Sequence, residues 1–335
     1  MKPIIFFLED RPNLKSKLMY HLKSLEVDYM VGDINPQVFS DKEMMTDFLT
    51  SIRGRTIYII SSPNTPEKIM MLNLALDAAK RAGAKEIIPI LTYYPYGRSD
   101  KKDQPRGAIG GKVVAEMLEN RGATSVILFD LHADQTQGFF NIPVIHMEGK
   151  FIFDEIIADL YDDFDGNVVL CSPDAGATKR VKGFRDRVKS QYDYNLPMVM
   201  IDKTRKEANK VDEMVLIGDV TDRNVIIIDD MADTCGTLVK ATEHLLEMGA
   251  KSVRAIVTHG VLSGPALDRL YNSNLESFIC TDSLPIQDYF AIGSEKLEQV
   301  LTNEVVTEVT ITRQMAKAIK GISKSISIES LKVGI

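Results

Sequence analysis

One stretch of the sequence decides the fold: Val225-Ile226-Ile227-Ile228-Asp229-Asp230-Met231-Ala232-Asp233-Thr234-Cys235-Gly236-Thr237. Its first four residues are apolar and β-branched, which predicts a buried strand. The strand delivers two carboxylates and is followed by a small, hydroxyl-rich turn that opens a helix. Backbone N–H groups at a helix start, together with the positive end of the helix dipole, form a good phosphate site.

The polar residues of this stretch also indicate what it binds. The hydroxyls of Thr234 and Thr237 would help the turn to bind a phosphate, and Asp229 and Asp230 would accept hydrogen bonds from sugar hydroxyls. For a pair of aspartates taken alone, the alternative is a strand end followed by an N-capped helix. The complete run of carboxylates, hydroxyls and glycine favours a sugar-phosphate site.

Outward from this stretch, short apolar runs alternate with segments of helical period, which predicts an α/β fold with parallel sheets covered by helices. In the first half the strands and helices are Thr56–Ile60, Glu67–Ala82, Glu86–Leu91, Gly111–Asn120 and Ser125–Phe129. In the second half they are Asn167–Cys171, a helix from Thr178, Met198–Ile201, Asn224–Asp229, Thr237–Met248 and Ser252–Thr258. Two similar halves fit a chain of 335 residues, because one core rarely grows beyond roughly 250–300 residues.

Small or acidic residues follow several of the predicted strands and lead into helices. These loops are Ser61-Ser62-Pro63-Asn64, Asp130-Leu131-His132-Ala133 and Ser172-Pro173-Asp174-Ala175-Gly176, besides Asp229–Thr237. Ligands bind at the carboxyl ends of strands in open parallel sheets, so we expect the chemistry in these loops.

The composition indicates an ordinary globular protein, with 44% hydrophobic and 26% charged residues. The net charge of −7 and the lack of a Lys/Arg cluster argue against nucleic acid as a partner. No window approaches 18 uncharged apolar residues and no secretion signal is evident, so we expect a cytoplasmic protein with no membrane partner. The spacing of Cys171, Cys235 and Cys280 predicts neither a disulfide framework nor a zinc site.

The stretch from Asp229 to Thr237 resembles the phosphoribosyl-binding loop of the type I phosphoribosyltransferase superfamily, and specifically that of the ribose-phosphate pyrophosphokinases. Further stretches are similar to that family and follow its order along the chain. They are Phe39–Glu43, the ATP-loop-like Tyr93–Asp103, Asp130–Phe140, Ile201–Arg205, Thr258–Ala266 and Ser323–Leu331. The resemblance therefore covers nearly the whole chain. No G-x-G-x-x-G or P-loop pattern occurs, which suits a family that binds ATP without either.

The resemblance implies two tandem phosphoribosyltransferase-like domains, each a mostly parallel sheet flanked by helices. These would be residues 1–149, with a C-terminal helix at about 307–331 packed back on them, and residues 150–306, which carry the ribose-phosphate loop. The implied reaction transfers the β,γ-pyrophosphoryl group of ATP to the 1-hydroxyl of ribose 5-phosphate, with Mg²⁺ as cofactor. Its products would be 5-phosphoribosyl 1-pyrophosphate and AMP.

Matching positions imply the site residues. ATP would be bound by Phe39, Asp41, Glu43, Arg98, Asp100 and His132, of which the first three reach the adenine of a neighbouring subunit. Ribose phosphate would be bound by Asp229, Asp230, Asp233, Thr234, Cys235, Gly236 and Thr237. Metal contacts would be His132 and Asp174, and the catalytic cations would be Lys203 and Arg205. Without the resemblance, a lone histidine is usually structural, and a Lys-x-Arg sequence is usually a solvated segment.

Three departures from the family pattern leave the acceptor open. Ser99 replaces Gln, Ala175–Lys179 replaces a Val-Gly-Gly run, and the amino terminus lacks a Gly-Asn/Ser-Ala segment. The acceptor is therefore ribose 5-phosphate or a larger ester of it such as ADP-ribose. Separately, Lys42 replaces Gly in the turn that would reach the adenine, and a lysine costs free energy there if the position needs a positive φ. A phosphoribosyltransferase is disfavoured by the second domain and by Lys203 with Arg205. A non-catalytic regulatory paralogue is disfavoured by the retained catalytic groups.

The resemblance also implies a homo-oligomer, either a dimer or a hexamer built from dimers. Phosphate activation and ADP inhibition would act at its subunit interfaces. Thr307, Thr310 and Thr312 lie where the family often has serines near such a site, so altered regulation is expected.

Overall fold

The computed structural model describes residues 2–204, 213–286 and 305–332. The chain divides into two compact units, Met1–Glu148 with Thr310–Ile335, and Gly149–Val309. Each unit has its own sheet and its own hydrophobic core.

The first unit is built on a parallel sheet. Its elements up to residue 148 are β1 (Ile4–Phe7), α1 (Pro12–Ser24), β2 (Met30–Val31), β3 (Ile34–Val38), β4 (Met44–Phe48), β5 (Thr56–Ser61), α2 (Pro66–Arg81), β6 (Glu86–Leu91), α3 (Gly110–Asn120), β7 (Val126–Phe129), a 3₁₀ helix (Asp134–Phe139) and β8 (Val144–Met147). In the described residues, six strands pair in parallel in the order β2-β1-β5-β6-β7-β8. Their carboxyl ends therefore lie at one edge of the sheet.

The sequence explains the central strands of this sheet and the start of the helix between them. β7 is buried along its whole length, and β5 is buried except at Thr56, because helices cover both faces of a parallel sheet. α2 begins after Thr65, whose hydroxyl accepts a hydrogen bond from the Lys68 amide at 3.3 Å. Pro66 follows at the first helical position, where a missing N–H costs no hydrogen bond.

Strands β3 and β4 form a separate antiparallel hairpin in the first unit. The hairpin is anchored at one end, where the Phe48 ring packs edge-on against Phe6 with the ring centroids 4.8 Å apart. At the other end, the turn residues 39–43 are exposed.

The second unit repeats the design of the first with a larger sheet. Its elements are α4 (Lys150–Asp163), β9 (Val168–Ser172), α5 (Thr178–Tyr192), β10 (Met198–Thr204), β11 (Glu213–Ile217), β12 (Asn224–Ala232), α6 (Gly236–Glu247), β13 (Ser252–Gly260), α7 (Ala266–Tyr271), β14 (Ser277–Thr281) and β15 (Val306–Val309). In the described residues, the strand order is β11-β10-β9-β12-β13-β14-β15. The β10–β11 pair is antiparallel and the other pairs are parallel. The predicted α/β class with mostly parallel sheets is confirmed.

Side chains of β12 alternate between two cores, one on each face of the second sheet. Val225 and Ile227 pack with residues of α6 and α7, whereas Ile226 and Ile228 pack with residues of α4 and α5. The strand is therefore packed on both faces up to Asp229, the first of its two aspartates.

The helical tail begins later than the sequence indicated. Residues 306–309, which border and overlap the predicted helix at 307–331, form β15 beside β14 in the second unit. The β-branched Val306 and Val309 favour a strand, and edge pairing outweighs the helical pattern of the following residues. The helices are α8 (Thr312–Lys324) and α9 (Ile328–Lys332), and α8 packs against α1 in the first unit.

None of the helices within the three described ranges combines the length and the apolar character needed to cross a membrane.

Close packing at Gly32 gives a test of the first unit. A Cβ built on Gly32 would lie 2.2 Å from Cε1 of Phe6 and 2.7 Å from Cγ2 of Ile4, and both side chains are fully buried. We expect Gly32→Ala to lower the free energy of unfolding by about 1–3 kcal/mol through overpacking, as measured by urea denaturation.

Gly138→Ala is the matched control, because nothing lies within 4 Å of a Cβ built there. It should leave the urea midpoint unchanged, and Phe6→Leu should recover part of the loss in the Gly32→Ala background. Equal midpoints for both glycine variants would contradict the packing seen at Gly32.

Candidate active site

The two adjacent carboxylates of the site lie near the end of β12. The backbone N–H of Asp230 donates to Oδ1 of Asp229 at 2.9 Å. The Asp230 side chain is buried and that of Asp229 is partly buried. Because β12 pairs in parallel with β9, the loop that follows β9 lies beside this pair.

Burial and like charges both act on this strand end. Burial, as the largest cause, and the negative charges of Asp230 and Asp174 together raise the pKa of Asp229 to about 8. One carboxyl of the pair therefore holds a proton readily near neutral pH. Hydrogen-bond donors or a cation placed here would be stabilised by the accumulated negative charge.

The turn after the carboxylates is left-handed. Cys235 has φ 57° and occupies the N-cap position of α6, where its side chain makes no capping hydrogen bond. The side chains of Thr234 and Thr237 are exposed. Burial raises the pKa of the Cys235 thiol to about 12, so this thiol stays protonated and is a poor nucleophile.

Asp174 organises the loop between β9 and α5. Its Oδ1 accepts a hydrogen bond from the Ala177 amide at 2.9 Å, and its carbonyl accepts one from the Ser172 hydroxyl at 2.7 Å. Gly176 lies against this carboxylate, since a Cβ built there would be 3.2 Å from Oδ1 of Asp174. The carboxylate is thus fixed in place at the same sheet edge as Asp229.

The first of the two predicted catalytic cations lies at the end of β10. Lys203 is the next-to-last residue of that strand, and its backbone pairs with Met214 of β11. Arg205 lies outside the described residues. Their roles stay predictions.

In the first unit, the loop that follows β6 carries Arg98 and Asp100. It is tied to α3, because the Tyr94 hydroxyl donates to the Gly111 carbonyl at 2.7 Å and the Gly110 amide donates to the Ser99 hydroxyl at 2.9 Å. The Gln135 side chain donates to Oδ2 of Asp100 at 3.3 Å. Arg98 is exposed at the surface of this loop.

The loop that follows β7 carries His132 close to the Arg98 loop. A Cβ built on Gly97 would lie 3.7 Å from Cβ of His132. The amide of Leu131 donates to Nε2 of the buried His146 at 2.9 Å, which ties this loop to β8. The structure therefore brings together the predicted ATP-binding residues Arg98, Asp100 and His132.

The turn of the β3–β4 hairpin carries the other predicted ATP-binding residues, Phe39, Asp41 and Glu43. The Lys42 amide donates to the Phe39 carbonyl at 3.0 Å, and the Phe39 amide donates to the Glu43 carbonyl at 2.8 Å. Lys42 has φ 74°, so this is a tight turn followed by a left-handed bulge residue, a position at which glycine is preferred. Oδ1 of Asp41 accepts the Glu43 amide at 3.0 Å.

Among residues 2–204, 213–286 and 305–332, no group of three or more His, Cys, Asp or Glu side chains is arranged to hold a metal ion. Of the two predicted metal contacts, His132 belongs to the first unit and Asp174 to the second.

Comparisons with known proteins give the family. Residues 4–122 match the N-terminal domain of ribose phosphate pyrophosphokinase, and residues 144–288 match the phosphoribosyl transferase domain. The ribose-phosphate pyrophosphokinase of Porphyromonas gingivalis is 39% identical over 290 residues, which cover 83% of this chain and 89% of that protein. The chain belongs to the ribose-phosphate pyrophosphokinase family.

Two further relatives agree. The ribose-phosphate pyrophosphokinase of Caldanaerobacter subterraneus subsp. tengcongensis is 39% identical over 298 residues, covering 88% of this chain and 90% of that protein. The crystal structure of phosphoribosylpyrophosphate synthetase from Mycobacterium smegmatis gives a TM-score of 0.83 at 31% identity, over 97% of this chain and all of that one. These findings confirm the predicted ribose-phosphate pyrophosphokinase family and the two tandem phosphoribosyltransferase-like domains.

Sequence reasoning missed several residues that hold the loops of the candidate site in place. Ser99 was noted only as a departure from the family, yet its hydroxyl and carbonyl accept the Gly110 and Gly111 amides and so cap α3. His146 and Arg269, which contact the loops at 131 and 234, carried no sequence signal. Each of these residues contacts a residue that is distant in the sequence, so local sequence patterns do not reveal the contact.

The bulge at Lys42 yields a stability prediction. A non-glycine residue in the left-handed region costs about 1–2 kcal/mol of conformational free energy. Glycine removes that cost, but it gives the unfolded chain more conformational entropy, which offsets part of the gain. We expect Lys42→Gly to raise the free energy of unfolding by up to about 1 kcal/mol, as measured by thermal unfolding.

Lys42→Ala is its control, because alanine removes the side chain and keeps the strained φ. The alanine variant should match the wild type. If both variants were stabilised equally, the lysine charge and not the backbone would be the cause.

The pKa of Asp229 gives a pH-dependent prediction. Because this pKa rises from 3.8 to about 8 on folding, the carboxyl destabilises the protein progressively as the pH rises through that interval. We expect Asp229→Asn to stabilise the ligand-free protein by about 1–3 kcal/mol near pH 8 and by less near pH 5. Thermal unfolding at both pH values would show it.

The control is Asp163→Asn, at the exposed end of α4, which should shift the unfolding temperature little and equally at both pH values. Destabilisation by Asp229→Asn at about pH 8 would show that the like-charge repulsion is not present.

Proposed function

We propose that this protein transfers the β,γ-pyrophosphoryl group of ATP to the 1-hydroxyl of ribose 5-phosphate, giving 5-phosphoribosyl 1-pyrophosphate and AMP. The observation that carries the proposal is the end of β12, where Asp229 and Asp230 precede the left-handed Cys235 turn and the start of α6. Hydrogen-bond acceptors followed at once by an anion-binding helix start fit the hydroxyls and the phosphate of one sugar phosphate. Membership of the ribose-phosphate pyrophosphokinase family supports the same reaction.

The acceptor would bind along this stretch from strand to helix. Asp229 and Asp230 would accept hydrogen bonds from the 2- and 3-hydroxyls. The loop from Asp233 to Thr237 would hold the 5-phosphate through backbone N–H groups and the exposed hydroxyls of Thr234 and Thr237. In this orientation the 1-hydroxyl stays available to react.

ATP would be bound by the loops at the carboxyl ends of β6 and β7, which carry Arg98, Asp100 and His132. The exposed hairpin turn with Phe39, Asp41 and Glu43 would contact the adenine of a neighbouring subunit. This arrangement needs a homo-oligomer, a dimer or a hexamer.

Magnesium fits the chemistry of the residues present. Mg²⁺ prefers oxygen ligands, keeps several waters and is commonly held by one or two carboxylates together with substrate phosphates. Asp174 would hold it on the acceptor side, where the negative charge shared with Asp229 favours a cation. His132 would lie beside the triphosphate. The ion would neutralise phosphate charge.

The transfer itself would be an in-line displacement. The 1-oxygen of the sugar forms a bond to the β-phosphorus, the bond from that phosphorus to the oxygen of AMP breaks, and the hydroxyl proton is released. Negative charge spreads over the phosphoryl oxygens in the transition state, so Lys203 and Arg205 would lower the barrier by placing positive charge beside them. Arg98 would orient the triphosphate.

The sugar would be positioned by its hydroxyls and its phosphate. Specificity for the acceptor would therefore depend on the edge of this site, which is formed by the loop after β9. Ala175 and Gly176 are exposed in the loop after β9, and Lys179 follows them in α5. An open edge with a cation beside it suits a larger ester such as ADP-ribose as well as ribose 5-phosphate.

A cytoplasmic location stays a prediction of the sequence.

The direct test is formation of AMP from ATP and Mg²⁺ with ribose 5-phosphate, with ADP-ribose and without an acceptor. We expect AMP with ribose 5-phosphate and none without an acceptor. Lys203→Ala should lower kcat by about 10²–10³-fold, because it removes a cation that acts mainly in the transition state.

Lys251→Ala, at an exposed lysine before β13, is the matched control and should keep full activity. A preference for ADP-ribose would keep the reaction and change the substrate. No AMP with either acceptor would contradict the proposal and favour a regulatory paralogue, whereas release of pyrophosphate from 5-phosphoribosyl 1-pyrophosphate would favour a phosphoribosyltransferase.

A further inference from the structure

Three successive carbonyl groups at the start of the ribose-phosphate loop are hydrogen-bonded by one later segment of the chain. The Leu262 amide donates to the Ala232 carbonyl at 3.0 Å, and the Ser263 amide donates to the Asp233 carbonyl at 2.9 Å. The third donor is a side chain: Nη1 of Arg269 donates to the Thr234 carbonyl at 2.8 Å. The ladder between β12 and β13 is thus continued into the loop.

These contacts fix which way the loop turns its N–H groups. In a planar trans peptide the C=O and the following N–H point in opposite directions, and the chain has no cis peptide bonds in the described residues. With the carbonyls of residues 232–234 turned toward segment 262–269, the N–H groups of residues 233–235 are turned away from it. The N–H groups of Thr234 and Cys235 thereby point toward the other side of the loop, where an anion would bind.

Arg269 holds the last of the three carbonyls, at the residue just before the left-handed Cys235. The guanidinium approaches the loop closely, since a Cβ built on Gly236 would lie 3.0 Å from its Nη1. A side chain at position 236 would push against the end of the Arg269 side chain, so the glycine leaves room for this contact. Arg269 is otherwise exposed and keeps several donors beyond the one used on Thr234.

The positive charge of Arg269 reaches the loop. Burial raises the pKa of the Cys235 thiol, and the Arg269 guanidinium opposes that rise. The same potential acts on an anion bound at the helix start, where it adds to the helix dipole. Arg269 therefore contributes both geometry and charge at the place proposed for the 5-phosphate.

We propose that Arg269 is a positioning residue of the ribose-phosphate loop: its guanidinium holds the Thr234 carbonyl, fixes the left-handed turn at Cys235 and adds positive charge beside the sugar phosphate. This role rests on the proposed function, because the loop must bind ribose 5-phosphate for the kinetic consequence to appear. The segment Leu262–Arg269, whose first part belongs to the family-like stretch Thr258–Ala266, thereby supports that loop.

The test compares Arg269→Gln and Arg269→Lys with the wild type by steady-state kinetics. Loss of a charged hydrogen bond is equivalent to about tenfold in affinity or more. We expect Arg269→Gln to raise KM for ribose 5-phosphate about tenfold while KM for ATP changes less than about twofold. Arg269→Lys, which keeps a charged donor, should recover part of the loss. Arg185→Gln, on α5, is the matched control and should change neither constant.

A second measurement does not depend on turnover. Amide hydrogen exchange in the ligand-free protein should be about tenfold faster at residues 233–236 in Arg269→Gln than in the wild type, and unchanged in the core strand β12. Unchanged exchange in the loop, or an unchanged KM for ribose 5-phosphate, overturns the proposal. If the wild-type protein forms no AMP, the proposed function is wrong, and the exchange rates alone decide whether Arg269 positions the loop.

Discussion

Asp229 and Asp230 lie side by side near the end of a buried strand, and each raises the free-energy cost of ionising the other. Such a pair is tolerated because the rest of β12 is strongly stabilised: Val225 to Ile228 are fully buried between two cores, and each such side chain contributes roughly 1.5–3 kcal/mol. The pair is best satisfied by hydroxyl donors or a cation. This requirement supports the proposal of a sugar-phosphate ligand with magnesium nearby.

Parallel pairing determines what else reaches this pair. β9 and β13 flank β12, so the loops after them lie on either side of the ribose-phosphate loop. The loop after β9 supplies Asp174, which accepts a hydrogen bond from the Ala177 amide, and the loop after β13 leads into α7, whose Arg269 donates to the Thr234 carbonyl. The carboxylates accumulate on one side and the guanidinium lies on the other, so the site separates charges suited to a metal from charges suited to a phosphate.

The sequence predicted those parts of the fold that local patterns govern. The apolar run Val225–Ile228 indicates a strand, and the polar residues that follow it indicate a turn and then a helix. Residues 307–309 of β15 were expected in the tail helix, because a short edge strand gains its stability from its neighbouring strand, which a local sequence pattern does not report. Lys42 illustrates the opposite case, since a departure from the family pattern pointed correctly to a left-handed position.

Sequence patterns pointed to the loops of the candidate site but not to the residues that support those loops, and the roles of the loop residues stay predictions. Residues with a family pattern, such as Arg98 and His132, lie together as expected. The contacts that set their geometry, Ser99 with Gly110 and Leu131 with His146, join residues that are 11 and 15 positions apart. Such pairs depend on tertiary packing, which a single sequence does not encode in a recognisable spacing.

The account depends most directly on whether the Asp229–Asp230 strand end binds the sugar phosphate. Calorimetric titration of the full chain with ribose 5-phosphate and Mg²⁺, in the absence of ATP, measures this without turnover. We expect saturable binding by the wild type that weakens about tenfold or more in Asp230→Asn, because a charged acceptor for a sugar hydroxyl is lost. Equal affinity of the variant and the wild type would contradict it.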